Sequence, residues 1–146
     1  MIMRTLLVII LSAISLAGNA QITHEISFDK KSQVVHLTLT NLFDEIVFLS
    51  PRPHFGDSPN ACYFVIKCKD ANGGVTDTIR SYISTKTLDY LEPKQSGKYT
   101  LPLRTLLQVY KIDGIRSIDA GVHIEAADTK WRTLFKKDVS QEFQVE

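Results

Sequence analysis

The chain has 146 residues, of which 44% are hydrophobic and 23% charged, with 17 Lys and Arg against 16 Asp and Glu. That length suits one domain with an apolar core of its own. The near-balance of charge, scattered in both signs, gives nucleic acid or anionic lipid no basic surface to recognise.

The N-terminus reads as an export signal. Arg4 gives a positive start, Thr5 to Leu16 is a nearly unbroken apolar run, and Gly18-Asn19-Ala20 offers small residues where a signal peptidase reads. Residues 1–20 are expected to be cleaved, leaving 21–146 as a single domain in the periplasm or secreted. The run is shorter than the roughly 18 apolar residues of a membrane-spanning helix, so no integral membrane segment is expected after cleavage. Without Arg4, the mature chain carries 16 basic and 16 acidic residues.

From there the hydrophobic pattern alternates with period two, the mark of strands that bury one face. Ile22, Ile26 and Phe28 share a parity. Val34 to Asn41 sets Val35, Leu37 and Leu39 against His36, Thr38 and Thr40, and Glu45 to Leu49 is a short run after it. Three prolines and a glycine then make Ser50 to Asn60 a loop. Tyr63 to Lys69 puts Phe64, Ile66 and Cys68 on one side, and Asn72-Gly73-Gly74 suits a turn that returns the chain through Val75 to Tyr82. Leu88 to Leu91 is a weaker strand. Lys98 to Leu103 follows, with Pro102 marking an edge or an end.

Leu103, Leu106, Leu107 and Tyr110 keep the spacing of one helical face, which Asp113-Gly114 stops. Ser117 to Ala126 alternates again, with Ile118, Ala120, Val122, Ile124 and Ala126 inward and Asp119, His123 and Glu125 outward. Trp131 to Lys136 and Glu142 to Val145 read as two closing strands. Seven to nine short strands with frequent turns define the expected fold class: an all-β, antiparallel immunoglobulin-like β-sandwich with one short helix.

Cys62 and Cys68 belong to one exported chain, where a disulfide is chemically permitted. A single strand through both would hold their α-carbons about 20 Å apart, against roughly 4.4 to 6.8 Å for a bridge, so two buried free thiols are expected.

An Asn-ended strand (Leu37 to Asn41), a Leu91-Glu92-Pro93 turn before Tyr99-Thr100-Leu101, a short helix and a long alternating strand from Ser117 follow one another in that order. In this the chain resembles the secreted immunoglobulin-like sandwiches of bacterial envelopes over Gln33 to Phe135. Bacterial proteinase-inhibitor domains of this type share the layout. The resemblance suggests inhibition; the expected role is non-catalytic binding of another envelope protein, by loops at one end of the sandwich or an exposed strand edge, with an inhibitor or immunity protein for an envelope enzyme as one form.

Chemistry-bearing motifs are sparse. Phosphate loops, nucleophile elbows, His-Glu-x-x-His and Cys-x-x-Cys do not occur after the signal, and no cofactor or metal is expected. His36 and His123, outward on strands that could be neighbours, allow a two-histidine metal site with Asp119 or Glu125, though solvated surface histidines fit the sequence better. His24, on the apolar parity of its strand, reads as a hydrogen-bonded core or edge histidine rather than a ligand. Asp77-Thr78-Ile79 resembles a short O-glycan acceptor, but a strand covers it. Tyr63, Tyr82, Tyr90, Tyr99, Tyr110 and Trp131 are dispersed, with no aromatic row for sugar stacking. The binding candidates are Arg52, His54, Phe55 and Asp57, in a proline-stiffened loop on a rigid frame. The other functional classes left open are an accessory subunit of a surface assembly and a small metal-dependent hydrolase.

Overall fold

The computed structural model describes residues 21–49, 62–83 and 89–146. Among these residues nine strands and a helix follow in order: β1 (Ile22–Asp29), β2 (Val34–Asn41), β3 (Val47–Phe48), β4 (Tyr63–Lys69), β5 (Val75–Tyr82), β6 (Tyr90–Leu91), β7 (Ser96–Pro102), α1 (Leu103–Val109), β8 (Ser117–Ala127) and β9 (Thr133–Gln144). The fold is the expected all-β antiparallel sandwich with one short helix. Among the described residues no helix is long and apolar enough to cross a membrane.

One sheet has the order β1-β2-β7; the other runs β5-β4-β8-β3-β6, with β9 also paired to β8. β8 is the backbone of the larger sheet. β9 pairs it from Ser117 to Ala127, β4 takes Ser117 to His123, and β3 joins at Ala127. The alternation read from the sequence is what fills the space between sheets. Val35, Leu37 and Leu39 of β2 meet Phe64, Ile66 and Cys68 of β4 and Ile118, Ala120, Val122, Ile124 and Ala126 of β8 in one buried cluster. Area removed from water on this scale is the main stabilising term of a sandwich.

Local chemistry closes the turns. Asp29 Oδ1 accepts the backbone N–H groups of Lys31 and Ser32 between β1 and β2. Asp70 Oδ1 does the same for Asn72 and Gly74 between β4 and β5, where Gly73 takes the positive φ (81°) that its lack of a Cβ permits. Pro102 ends β7, and β7 is an edge strand, so both meanings of that proline hold. Asn41, fully buried at the end of β2, joins the two sheets: its Nδ2 donates to the carbonyls of Glu45 and Leu91, and its Oδ1 accepts from Phe43 N–H. Cys62 and Cys68 are free and buried, as strand geometry requires.

The chain's last strand departs from the sequence reading. Instead of two segments, β9 is one strand of 12 residues. Lys136 to Glu142 lacks the apolar alternation that marks a strand, yet the full edge of β8 supplies its hydrogen bonds, and its polar side chains stay exposed. A register skip opposite Ala126 and Ala127 passes over Leu134.

Candidate functional site

The outer face of the larger sheet is built from cross-strand rows. Arg80, Val65, Gly121 and Ser140 form one row across β5, β4, β8 and β9; Tyr82, Tyr63, His123 and Asp138 form the next. Directly opposed residues on one face touch, so these rows are units of contact. Gly121 lies at the centre. A Cβ there would come within 2.9 Å of the Val65 carbonyl oxygen, and the missing side chain leaves the floor of the face low. The result is an open concavity of about 270 Å³, walled by Val65, Lys67, Asp119, His123, Asp138 and Ser140.

His123 is fixed on every side. Its Nδ1 donates to Asp138 Oδ1 at 2.7 Å, its Nε2 lies 3.4 Å from Glu125 Oε2, and its ring stacks on Tyr63 with centroids 4.8 Å apart. Arg80 covers the Tyr63 ring at 4.7 Å, a cation–π contact, and Tyr82 meets it edge-on. Glu125 is held in turn by its neighbours: Lys136 Nζ is 3.9 Å from Oε1, and the backbone of Glu125 exchanges two 3.4 Å hydrogen bonds with Cys62 Sγ. Burial pushes the Cys62 thiol up to about 12, which leaves it protonated and inert at neutral pH. At the other end of the concavity, Lys69 bridges Asp119 and Glu142, each at 3.0 Å, and the hydrogen bond to Asp119 is the first cause of its raised pKa.

This geometry corrects the expectation for the histidines. His123 is only 8% exposed and so is not a solvated surface residue, while His36 is exposed. The two stand in different sheets, because β2 pairs with β1 and β7, so no shared metal site forms between them. Among the described residues no group of three His, Cys, Asp or Glu side chains is placed to hold a metal ion. His24 is exposed on β1, an edge strand of the smaller sheet, so of the core and edge positions expected for it the edge one holds. Partial desolvation of its ring, and secondarily Lys137, still lowers its pKa.

The aromatic residues also come together, contrary to their dispersal in sequence. Tyr63 and Tyr82 pair on the outer face. At the end of the same sheet, Phe48 stacks on Trp131 at 5.0 Å and meets Tyr90 edge-on. Trp131 has φ +62°, rare for a bulky residue. Its turn is closed by buried Asp128, whose Oδ1 accepts the N–H groups of Lys130 and Arg132 and whose Oδ2 accepts from Arg132 Nε.

Arg52, His54, Phe55 and Asp57 lie outside the described residues. The described residues on either side are tied together: Cys62 N–H donates to the carbonyl of Leu49, Ile83 N–H to the carbonyl of Cys62, and Leu49 N–H to the carbonyl of Asp89. The concavity itself was missed by sequence reasoning. Gly121 inside an otherwise strong strand was the available signal for a close approach of another backbone.

No family model and no curated protein matches the sequence. Solved structures align with it to differing degrees. The chain aligns with the structural genomics target SoR45 at a TM-score of 0.50 and 12% identity, over 89% of this chain and 88% of that one. The putative ApaA protein from Bordetella pertussis gives 0.42 at 14% identity, over 84% and 87%. β-Glucosidase 3B from Thermotoga neapolitana gives 0.33 at 14% identity, over 86% of this chain and 17% of that one. The likeness to SoR45 concerns the fold alone. Fold and face together define the class: an antiparallel β-sandwich with a preorganised polar concavity on its larger sheet.

Proposed function

We propose that the chain is an exported, non-catalytic protein-binding sandwich of the bacterial cell envelope, acting on an envelope enzyme as an inhibitor or immunity protein. The observation that carries this reading is β5. Among the described residues it is one edge of the larger sheet, eight residues long, with seven of the eight not buried. Val75 (53% exposed) and Tyr82 (61%) stand near its two ends. An uncovered edge offers backbone hydrogen bonds to an extended segment of another protein, and neighbouring side chains give the choice of partner. Tyr63, Arg80 and Tyr82 adjoin that edge and are residue types that anchor interfaces.

The rigid histidine adds support for binding over catalysis. A hydrolytic triad needs an imidazole nitrogen on a hydroxyl. Here Nδ1 is bonded to Asp138, and Nε2 faces Glu125.

Replacing Val75 and Tyr82 together by Lys tests the reading, since edge lysines oppose strand addition. The variant should lose a partner that copurifies stoichiometrically from envelope extracts while its melting temperature stays within a few degrees. Retained copurification would overturn the role of β5. Arg52→Ala with Phe55→Ala is the parallel test of the Ser50 to Asn60 loop. N-terminal sequencing of the exported protein should begin at Gln21.

A further inference from the structure

We infer that the concavity over Gly121 receives one basic side chain, lysine or arginine, from the protein partner; this rests on the binding role proposed above. Three features lead there. The first is unequal pairing of charge. Asp119 is matched by Lys69 at 3.0 Å and stands opposite Lys67 in register, so that end of the concavity is neutralised. Asp138 has His123 on Oδ1 and is otherwise without a partner among the described residues, with 80% of its side chain exposed. A carboxylate accepts more than one hydrogen bond, so Asp138 retains acceptor capacity at the rim.

The second feature is shape. Ser140 lies two residues from Asp138 on the same face of β9 and lines the same concavity, adding a hydroxyl acceptor beside the carboxylate. Val65 and the bare backbone of Gly121 form an apolar floor between them and β4. Lysine and arginine have this composition in mirror image: a long apolar stem ending in donors only.

The third is preorganisation. His123 cannot swing away without giving up Asp138, Glu125 and the Tyr63 ring, so the acceptor carboxylate is held by a residue that is itself locked. Arg80 on Tyr63 shows within this chain that the adjoining aromatic shelf accepts a guanidinium. A rigid acceptor set lowers the ordering cost of binding.

The test uses the mature chain and small probes, followed through the backbone amide signals of Gly121, His123 and Ser140 by NMR. N-acetyl-arginine amide and N-acetyl-lysine amide should shift those signals in the millimolar range, and N-acetyl-glutamine amide should not. Asp138→Asn should weaken the response about fivefold, as removal of an exposed ionic partner does. Lys67→Glu should strengthen it about twofold, a gain that partial unfolding cannot imitate. An unchanged response in Asp138→Asn, or no response to either basic probe in the wild-type chain, overturns the inference. So does a stronger response to methyl glucoside than to arginine, which would assign the concavity to a carbohydrate. If copurification depends on Val75 and Tyr82 while the basic probes fail, the binding role stands and only this occupant falls.

Discussion

β2 and β8 are the central strands of their sheets, and in sequence they look alike. Each alternates apolar and polar residues and each carries one outward histidine. In β2 the polar face stays open, and His36 is exposed. In β8 it is covered from both sides, so His123 and Glu125 are 8% and 4% exposed. The inner faces do the same work; the outer faces do not. A polar residue facing away from the core meets water only when its neighbours are small or splayed. On β8 the Tyr63 ring lies on His123, Asp138 bonds it and Lys136 faces Glu125, and these neighbours come from segments far away in the chain.

The inner faces should therefore respond alike. Leu37→Ala in β2 and Ile124→Ala in β8 should each cost about 2–5 kcal/mol in denaturant unfolding, since both side chains are fully buried. A large inequality would break the equivalence of the two cores. The outer faces should differ. Gly121→Ala drives a Cβ against the backbone of Val65 and should cost about 1–3 kcal/mol. His123→Ala removes the shared partner of Asp138 and Glu125 and should also cost about 1–3 kcal/mol, whereas His36→Ala should stay within about 0.5 kcal/mol. Equal effects for the two histidines would erase the contrast.

Smaller effects sharpen it. Burial raises the pKa of both thiols, so alkylation of the folded protein at neutral pH should be very slow, and unfolding should release two reactive thiols. Zero thiols after unfolding would show a disulfide. The smallest expected change is at the end of β8. The N–H of Arg132 is the first cause holding the Asp128 carboxyl below the usual carboxylate range. A depressed folded pKa stabilises the turn above that range, and the contribution is lost as the pH falls through and below it. Trp131 is the chain's single tryptophan, so its fluorescence should be constant near neutrality and change on acidification. Asp128→Asn should show that change already at neutral pH.

Most of the strands were legible because alternation is local: β2, β4, β5 and β8 can be read from neighbouring residues alone. The hairpin at Gly73, the end of β7 at Pro102 and the helix after it were legible for the same reason, through backbone preferences of a few residues. β9 was half legible, because its middle has Val139 as a lone apolar residue and only a partner strand gives it a reason to be extended. The concavity was hardly legible. Its walls come from β4, β8 and β9, and only Gly121 hinted at it.

The sequence by itself determined most of the strands, which face of each points inward, and that Cys62 and Cys68 stay apart. Only the tertiary structure decided that His36 and His123 belong to different sheets and that Tyr63 lies on His123. It also set Asp138 and Ser140 at the rim of a shared hollow. The physical reason is range. Side-chain direction repeats every two residues along a strand, but which strands become neighbours is settled by burial and hydrogen bonding among segments tens of residues apart.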